Sequence, residues 1–139
     1  MFFKKKKEFN KVSISLIKIA GLLIHAAKID EIYSEEEEEI IKKTLLELGA
    51  KQDELDVLMV TAKQNEEKTN QILDFTKQIK KMDEKDKIKI IKSLWRIIYS
   101  NKNADIYETN LMRRLAGLLY IDAKIMGDLK EKVKKKISK

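Results

Sequence analysis

At 139 residues the chain has the length of a single domain, enough to bury a substantial core. With 38% charged and 43% hydrophobic residues, no Pro and four Gly, it suits an all-helical protein and offers little turn chemistry for hairpins. It has no Cys, which excludes disulfides, thiolate metal sites and cysteine nucleophiles; the single His, His25, excludes a His-pair metal centre.

The formal charge of +7 sits at the ends. Residues 1–11 carry +4 and residues 130–139 carry +5, which leaves about −2 for residues 12–129. No basic face with interleaved aromatic readers appears, so nucleic acid is not an expected partner. The basic N-terminal segment is expected to give at most a weak contact with an anionic membrane surface. No Gly-rich phosphate loop and no Ser-centred elbow is present, so an enzyme would have few parts to work with.

The stretch "MFFKKKKEFNKVSISLIKIAGLLIHAA" has the order of a signal peptide, basic and then apolar and then small. Lys18 and His25 interrupt its apolar run, which is also short against the ~20 residues of a membrane span. It reads instead as a buried helix from about Val12 to Ile29, apolar on nearly all sides through Leu16, Ile17, Ile19, Ala20, Leu23, Ile24 and Ala27. His25 falls within it as a core or boundary residue.

Next comes an acidic run, with Asp30, Glu31 and Glu35 to Glu39 giving seven carboxylates in ten positions. Ser34-x-x-Glu37 has the spacing of a capping box, and first-turn Glu residues suit the positive end of a helix dipole. The stripe Ile40, Ile41, Thr44, Leu45, Leu48 follows, with Gly49 as the residue that ends the helix. On this reading most of the Glu run faces water.

Two weaker helices follow, about Gln52 to Gln64 and Glu67 to Met82, and Asp83 caps the next. That one, about Lys85 to Ser100, carries Ile88, Ile91, Trp95 and Ile98 on one face and Ile90, Leu94 and Ile97 beside them, so Trp95 reads as core. Asp105-x-x-Glu108 forms a second capping box. From Asp122 a last helix runs into lysines. Tyr33, Tyr99, Tyr107 and Tyr120 read as edge packing, or as a ring around the loop end of the bundle.

An internal repeat organises these elements. Shifting the chain by 71 residues lays "LIHAAKIDEIYSEEEEEIIKKTLLELGA" on "LWRIIYSNKNADIYETNLMRRLAGLLYI". Asp30 then falls on Asn101, Ser34 on Asp105, Glu37 on Glu108, and Leu45 and Leu48 on Ala116 and Leu119. Each copy is helix, loop, capped helix, and each leading helix is apolar enough to be central.

The doubled pattern, and above all Leu94-Trp95-Arg96 leading through Asp105 and Glu108 to Arg113-Arg114-Leu115-Ala116, resembles the TerB-like family of tellurite-resistance proteins, in its small stand-alone bacterial form. The resemblance covers about residues 12–130, between a basic segment 1–11 and a Lys-rich end 131–139. It implies an all-α fold of about seven helices around a central antiparallel pair, with two pseudo-symmetric helix-loop-helix repeats. It also implies an acidic pole at Asp30, Glu37, Asp105 and Glu108 for divalent metal ions or a protein partner, a link to tellurite or metal stress, and no enzymatic activity. Three positions depart from the family pattern of Ala-Asp-Gly. Glu31 and Lys102 replace its glycines, and Asn101 keeps an oxygen donor while losing a charge.

Oxygen ligands of this kind suit Ca²⁺, Mg²⁺ or Mn²⁺. Three classes are therefore carried forward: a binding module acting through the acidic pole, a membrane-peripheral adaptor using Phe2, Phe3 and Lys4 to Lys7, and, third, a hydrolase resting on paired carboxylates alone. The expected location is the cytoplasm, with the inner membrane face for the adaptor.

Overall fold

The structure, a computed structural model, describes residues 2–28, 34–68, 72–100 and 108–137, and of residues 2–14, 108, 109 and 137 the backbone only. Every regular element among them is helical. Seven α-helices follow in order: α1 (Phe2–Ala27), α2 (Glu35–Glu47), α3 (Leu55–Lys68), α4 (Leu73–Ile79), α5 (Glu84–Tyr99), α6 (Arg113–Leu118) and α7 (Ala123–Ile137). A 3-10 turn, Gln52–Glu54, leads into α3, and a π-helical turn, Glu108–Met112, leads into α6.

The two helices apolar on several sides are the central ones. From residue 16 onward α1 buries Leu16, Ile19, Ala20, Leu22, Leu23, Ile24, Ala26 and Ala27, and it packs against α2, α3, α4 and α5. α5 buries Ile90, Ile91, Leu94, Trp95, Ile97 and Ile98 and packs against α1, α2 and α7. A helix with an apolar surface wider than one stripe must be covered on more than one side, and here it is. No described helix is long and apolar enough to cross a membrane.

Side-chain contacts give the directions of neighbouring helices. Thr44 on α2 meets Ser93 on α5, and one turn further along α2 the Glu47 carbonyl accepts from Lys89 Nζ at 3.3 Å, so α2 runs antiparallel to α5. Glu38 pairs with Lys63, while Leu46 shares a groove with Leu55, so α2 is also antiparallel to α3. α1 runs along α3, with Ile17 beside Leu58 and Lys28 beside Glu66. The C-terminal ends of α1 and α5 thus both lie where α2 begins. These two helices point the same way along the bundle, a different sense from the antiparallel pair that the resemblance implies.

Helix boundaries differ from the sequence pattern at several points. α1 begins at Phe2 and not near Val12, because Phe, Lys and Glu in residues 2–11 include no helix breaker. α4 is confined to seven residues. Asp83 stands at the N-cap of α5, but its side chain makes no capping bond.

Two helices end in one hydrogen-bond pattern. After α2, Gly49 N–H donates to Leu46 O and Ala50 N–H to Leu45 O; after α6, Tyr120 N–H donates to Gly117 O and Ile121 N–H to Ala116 O. Both are Schellman ends, which need a left-handed residue at the turn. Gly49 supplies it at φ 110° and Tyr120 at φ 56°. The second set of residues lies 71 positions after the first.

Candidate functional site

The end of the bundle where α2 begins gathers His25 and Lys28 from the end of α1, Glu37 and Glu38 of α2, and Lys63 and Glu66 of α3. Ser34 is the N-cap of α2 and closes a full capping box. Ser34 Oγ accepts from Glu37 N–H at 3.1 Å, while Glu37 Oε1 accepts from the Ser34 backbone N–H at 2.9 Å and from Ser34 Oγ at 3.0 Å. Glu37 is only 3% exposed, so its carboxylate turns inward on the same face as Ile41 and Leu45. Glu35, Glu36 and Glu39 are exposed. Glu38 is half-buried and takes Lys63 Nζ at 2.7 Å.

Beside the box, Glu66 near the end of α3 ties in α1. Its Oε2 takes Lys28 Nζ at 2.9 Å and its Oε1 faces His25 Nδ1 at 3.4 Å. Glu66 has a side chain only 10% exposed, and a carboxylate that deep is stable only when paired. His25 is a boundary residue, its ring tilted against Phe75 with centroids 6.5 Å apart. The acidic helix start is thereby pinned to α3 by Glu38–Lys63, and α3 to α1 by Glu66.

Further along α2, the Thr44 and Ser93 hydroxyls hydrogen-bond to each other between α2 and α5. Each also lies within bonding distance of the carbonyl four residues before it, Ile40 O at 2.8 Å and Lys89 O at 3.0 Å. Two hydroxyl protons serve three contacts, so the network is shared between helix and helix.

Where α5 ends, Trp95 stacks on Tyr99 with ring centroids 5.9 Å apart, and Lys130 Nζ of α7 lies 6.0 Å from the Trp95 ring centroid. Trp95 is 3% exposed and belongs to the core. Tyr120 is far from this end. It stands after α6, whose C-cap Leu119 carbonyl accepts from Lys87 Nζ near the start of α5, and it is 73% exposed. It is therefore not part of a tyrosine ring around the loops.

Of the four sequence-selected acidic residues the structure places one side chain, Glu37. Asp30 and Asp105 lie outside the described residues, and of Glu108 only the backbone is described, at the first position of the π-helical turn. Among the described residues no group of three His, Asp or Glu side chains is positioned to hold a metal ion.

Glu66, Lys63 and Ser93 were not picked out from the pattern, yet two of them carry a readable mark. Glu66 falls four residues after Ala62 on the stripe Leu55, Leu58, Ala62, and Ser93 lies between Ile90 and Ile97. A polar residue at an apolar-stripe position needs a buried partner.

A family model described as Tellurite resistance protein TerB matches residues 16–131. No curated protein and no solved structure gives a match.

Proposed function

The chain belongs to the tellurite resistance protein TerB family, and on that premise we propose that it is a non-enzymatic, metal-stress-related binding module. Its acidic pole, formed by Asp30, Glu37, Asp105 and Glu108, takes a divalent cation or a protein partner with a complementary basic surface. The observation that supports this reading is the antiparallel seating of α2 on α5. It puts the N-cap of α2, Ser34, at the same end of the bundle as Ser100, the C-cap of α5. Oxygen-only ligands favour Ca²⁺, Mg²⁺ or Mn²⁺. Nucleophilic chemistry has little support, because the chain has no Cys and its single His is turned to Glu66. A chain without Cys needs no oxidising compartment, which fits the cytoplasm.

Thermal unfolding with Ca²⁺, Mg²⁺ and Mn²⁺ tests the proposal. A cation at about 100 times its Kd adds about 2.7 kcal/mol to stability, a clear rise in Tm. Asp30→Asn with Glu37→Gln is expected to abolish the rise; Gln keeps the acceptor that the capping box needs. Glu38→Gln with Glu39→Gln lowers the starting Tm through the lost Lys63 pair but keeps the rise. Equal loss in both variants, or a rise reproduced by NaCl, refutes a defined site and leaves a diffuse acidic surface.

One observation favours a second reading, a membrane-peripheral adaptor. Residues 2–11 are the opening turns of α1 and lead away from the acidic pole, which sets Phe2, Phe3 and Lys4 to Lys7 at the opposite end. Sedimentation with phosphatidylserine vesicles, with and without residues 1–11, decides it: binding that survives the deletion rules out that anchor.

A further inference from the structure

The charge of the folded body is not spread evenly. The short helices α4 and α6 pack on each other. Residues 73–81 and 113–120, which form them and their ends, carry Lys77, Lys80, Lys81, Arg113 and Arg114 against Asp74 alone. That is a net +4 within residues 12–129, which total about −2, so the remainder of that body is near −6. Lys77, Lys81, Arg113 and Arg114 are exposed. Among the described residues none of the five cations is in an ion pair. A helix end attracts lysines through its dipole, which accounts for Lys77 and Lys80 at the end of α4. It does not account for Arg113 and Arg114, which open α6.

Between the two helices runs a groove of about 350 Å³. Leu73 and Leu118 supply apolar lining, Gly117 leaves its part of the wall without a side chain, and Lys77, Lys80 and Tyr120 add two cations and an aromatic ring. Tyr120 is unfavourable there on two counts. It is the one non-Gly residue of positive φ among those described, in the place that Gly49 takes in the first copy. Its ring is also 73% exposed, so it gains little from burial. Neither the turn nor the core requires an aromatic side chain at this position. Lys80 Nζ stands 5.9 Å from the ring centroid, a cation–π contact that holds the ring beside the groove. A strained residue kept at the edge of a groove points to a surface that binds.

We propose that the groove between α4 and α6 is a docking site for an acidic peptide segment of a partner protein. An apolar side chain of the segment enters between Leu73 and Leu118 beside the Tyr120 ring, and its flanking carboxylates meet Lys77, Lys80 and Arg114. Charge complementarity selects the acidic partner, and the concave apolar lining selects a peptide. A bilayer needs a broader apolar face than the two exposed side chains Leu73 and Tyr120. A single ring, with Asp74 in the lining, offers no platform for successive bases. The site shares no residue with the acidic pole and stands or falls apart from it.

The test is fluorescence anisotropy of a labelled peptide, Glu-Asp-Glu-Asp-Leu-Glu-Asp-Glu-Asp, titrated with the full chain. A second peptide has Gly in place of the central Leu. Four proteins are compared: wild type, Lys77→Gln/Lys80→Gln/Arg114→Gln, Tyr120→Gly, and a charge-matched control, Lys43→Gln/Lys51→Gln/Lys132→Gln, whose lysines are exposed elsewhere on the surface. Circular dichroism confirms that all four fold. The groove variant is expected to bind about tenfold more weakly, the sum of three exposed charge pairs. Tyr120→Gly should bind roughly threefold more weakly with no fall in Tm, which a purely structural tyrosine would not produce. The control should match wild type, and the Gly peptide should bind several-fold more weakly than the Leu peptide. Equal weakening in the control, or equal binding of the two peptides, shows a diffuse charge effect and overturns the proposal. No binding to wild type at millimolar protein overturns it as well. So does tighter binding to phosphatidylserine vesicles that the groove variant loses, which would assign this face to a membrane.

Discussion

At Gly21, α1 packs directly against the Phe75 ring of α4. A Cβ added there would lie 2.5 Å from Phe75 Cε1, 2.8 Å from Cδ1 and 3.3 Å from Cζ. Carbon atoms prefer separations of about 3.5–4.0 Å, so the ring would have to retreat by about 1 Å. Phe75 is 1% exposed and packed on all sides, so that retreat disturbs its other neighbours. Two effects oppose each other in Gly21→Ala. Helix propensity favours Ala by about 1 kcal/mol, and overpacking of this kind costs about 1–3 kcal/mol. An overlap with a ring that has no free space belongs at the upper end, which leaves a net loss of about 1–2 kcal/mol. At about 4 °C per kcal/mol for a chain of this size, Tm falls by about 4–8 °C. Urea denaturation of Gly21→Ala, Phe75→Leu and the double variant measures it as a cycle. The smaller, more flexible Leu should relieve the clash, so the double variant is expected to be more stable than the sum of the two single changes allows. If Gly21→Ala stabilises the protein, or the cycle shows no coupling, the close approach of α1 and α4 is wrong.

Trp95→Ala should cost about 3–5 kcal/mol, since Trp95 is nearly fully buried and stacks on Tyr99, whereas Ser34→Ala should cost only about 0.5–2 kcal/mol as a lost cap; a near-silent Trp95→Ala in urea denaturation would remove Trp95 from the core. The two Schellman ends make opposite demands. Gly49→Ala meets no atom within 4 Å and should still lose about 1 kcal/mol from its positive φ, while Tyr120→Gly relieves a similar strain and should not destabilise; the reverse order of Tm changes would refute the left-handed assignment.

What was legible in the sequence follows from periodicity. Leu16 to Ala27 and Ile90 to Ile98 are apolar on more than one side, and that alone marks α1 and α5 as the helices others surround. Ser34 and Glu37 announce the start of α2 through a local rule that needs no tertiary information. What escaped was polar matter buried on those same faces. Glu37 lies four residues before Ile41 on its stripe, so its burial was already written there; the run of Glu around it hides this by looking uniformly solvated. Glu66 is hidden differently. Its partners Lys28 and His25 come from a helix 38 and 41 positions earlier, and pairing at that range depends on how α1 runs along α3. The start of α1 at Phe2 carries no mark in the sequence, because lysine suits a helix and a solvated tail equally well. The direction of α1 against α5 is set by packing and has no periodic signature.

The recurrence of one C-terminal cap after 71 residues bears on the opposite end of the second copy. If α2 and the segment leading into α6 share both ends, Asp105 should do for its helix what Ser34 does for α2. A carboxylate is as good an N-cap acceptor as a hydroxyl, and its charge adds a favourable dipole interaction. Asp105→Ala should therefore cost about 0.5–2 kcal/mol in the presence of a chelator, where no cation contributes. Asp105→Ser should recover most of that loss while removing the charge. The Ser34→Ala/Asp105→Ala pair should be close to additive, since each cap closes its own helix. Urea denaturation of the four proteins reads all three outcomes. A silent Asp105→Ala would show that the second copy begins without a capping box, consistent with its π-helical turn being a true departure from the first. A loss that Ser fails to recover would show that the charge matters and not the cap, and would return Asp105 to the electrostatics of the pole.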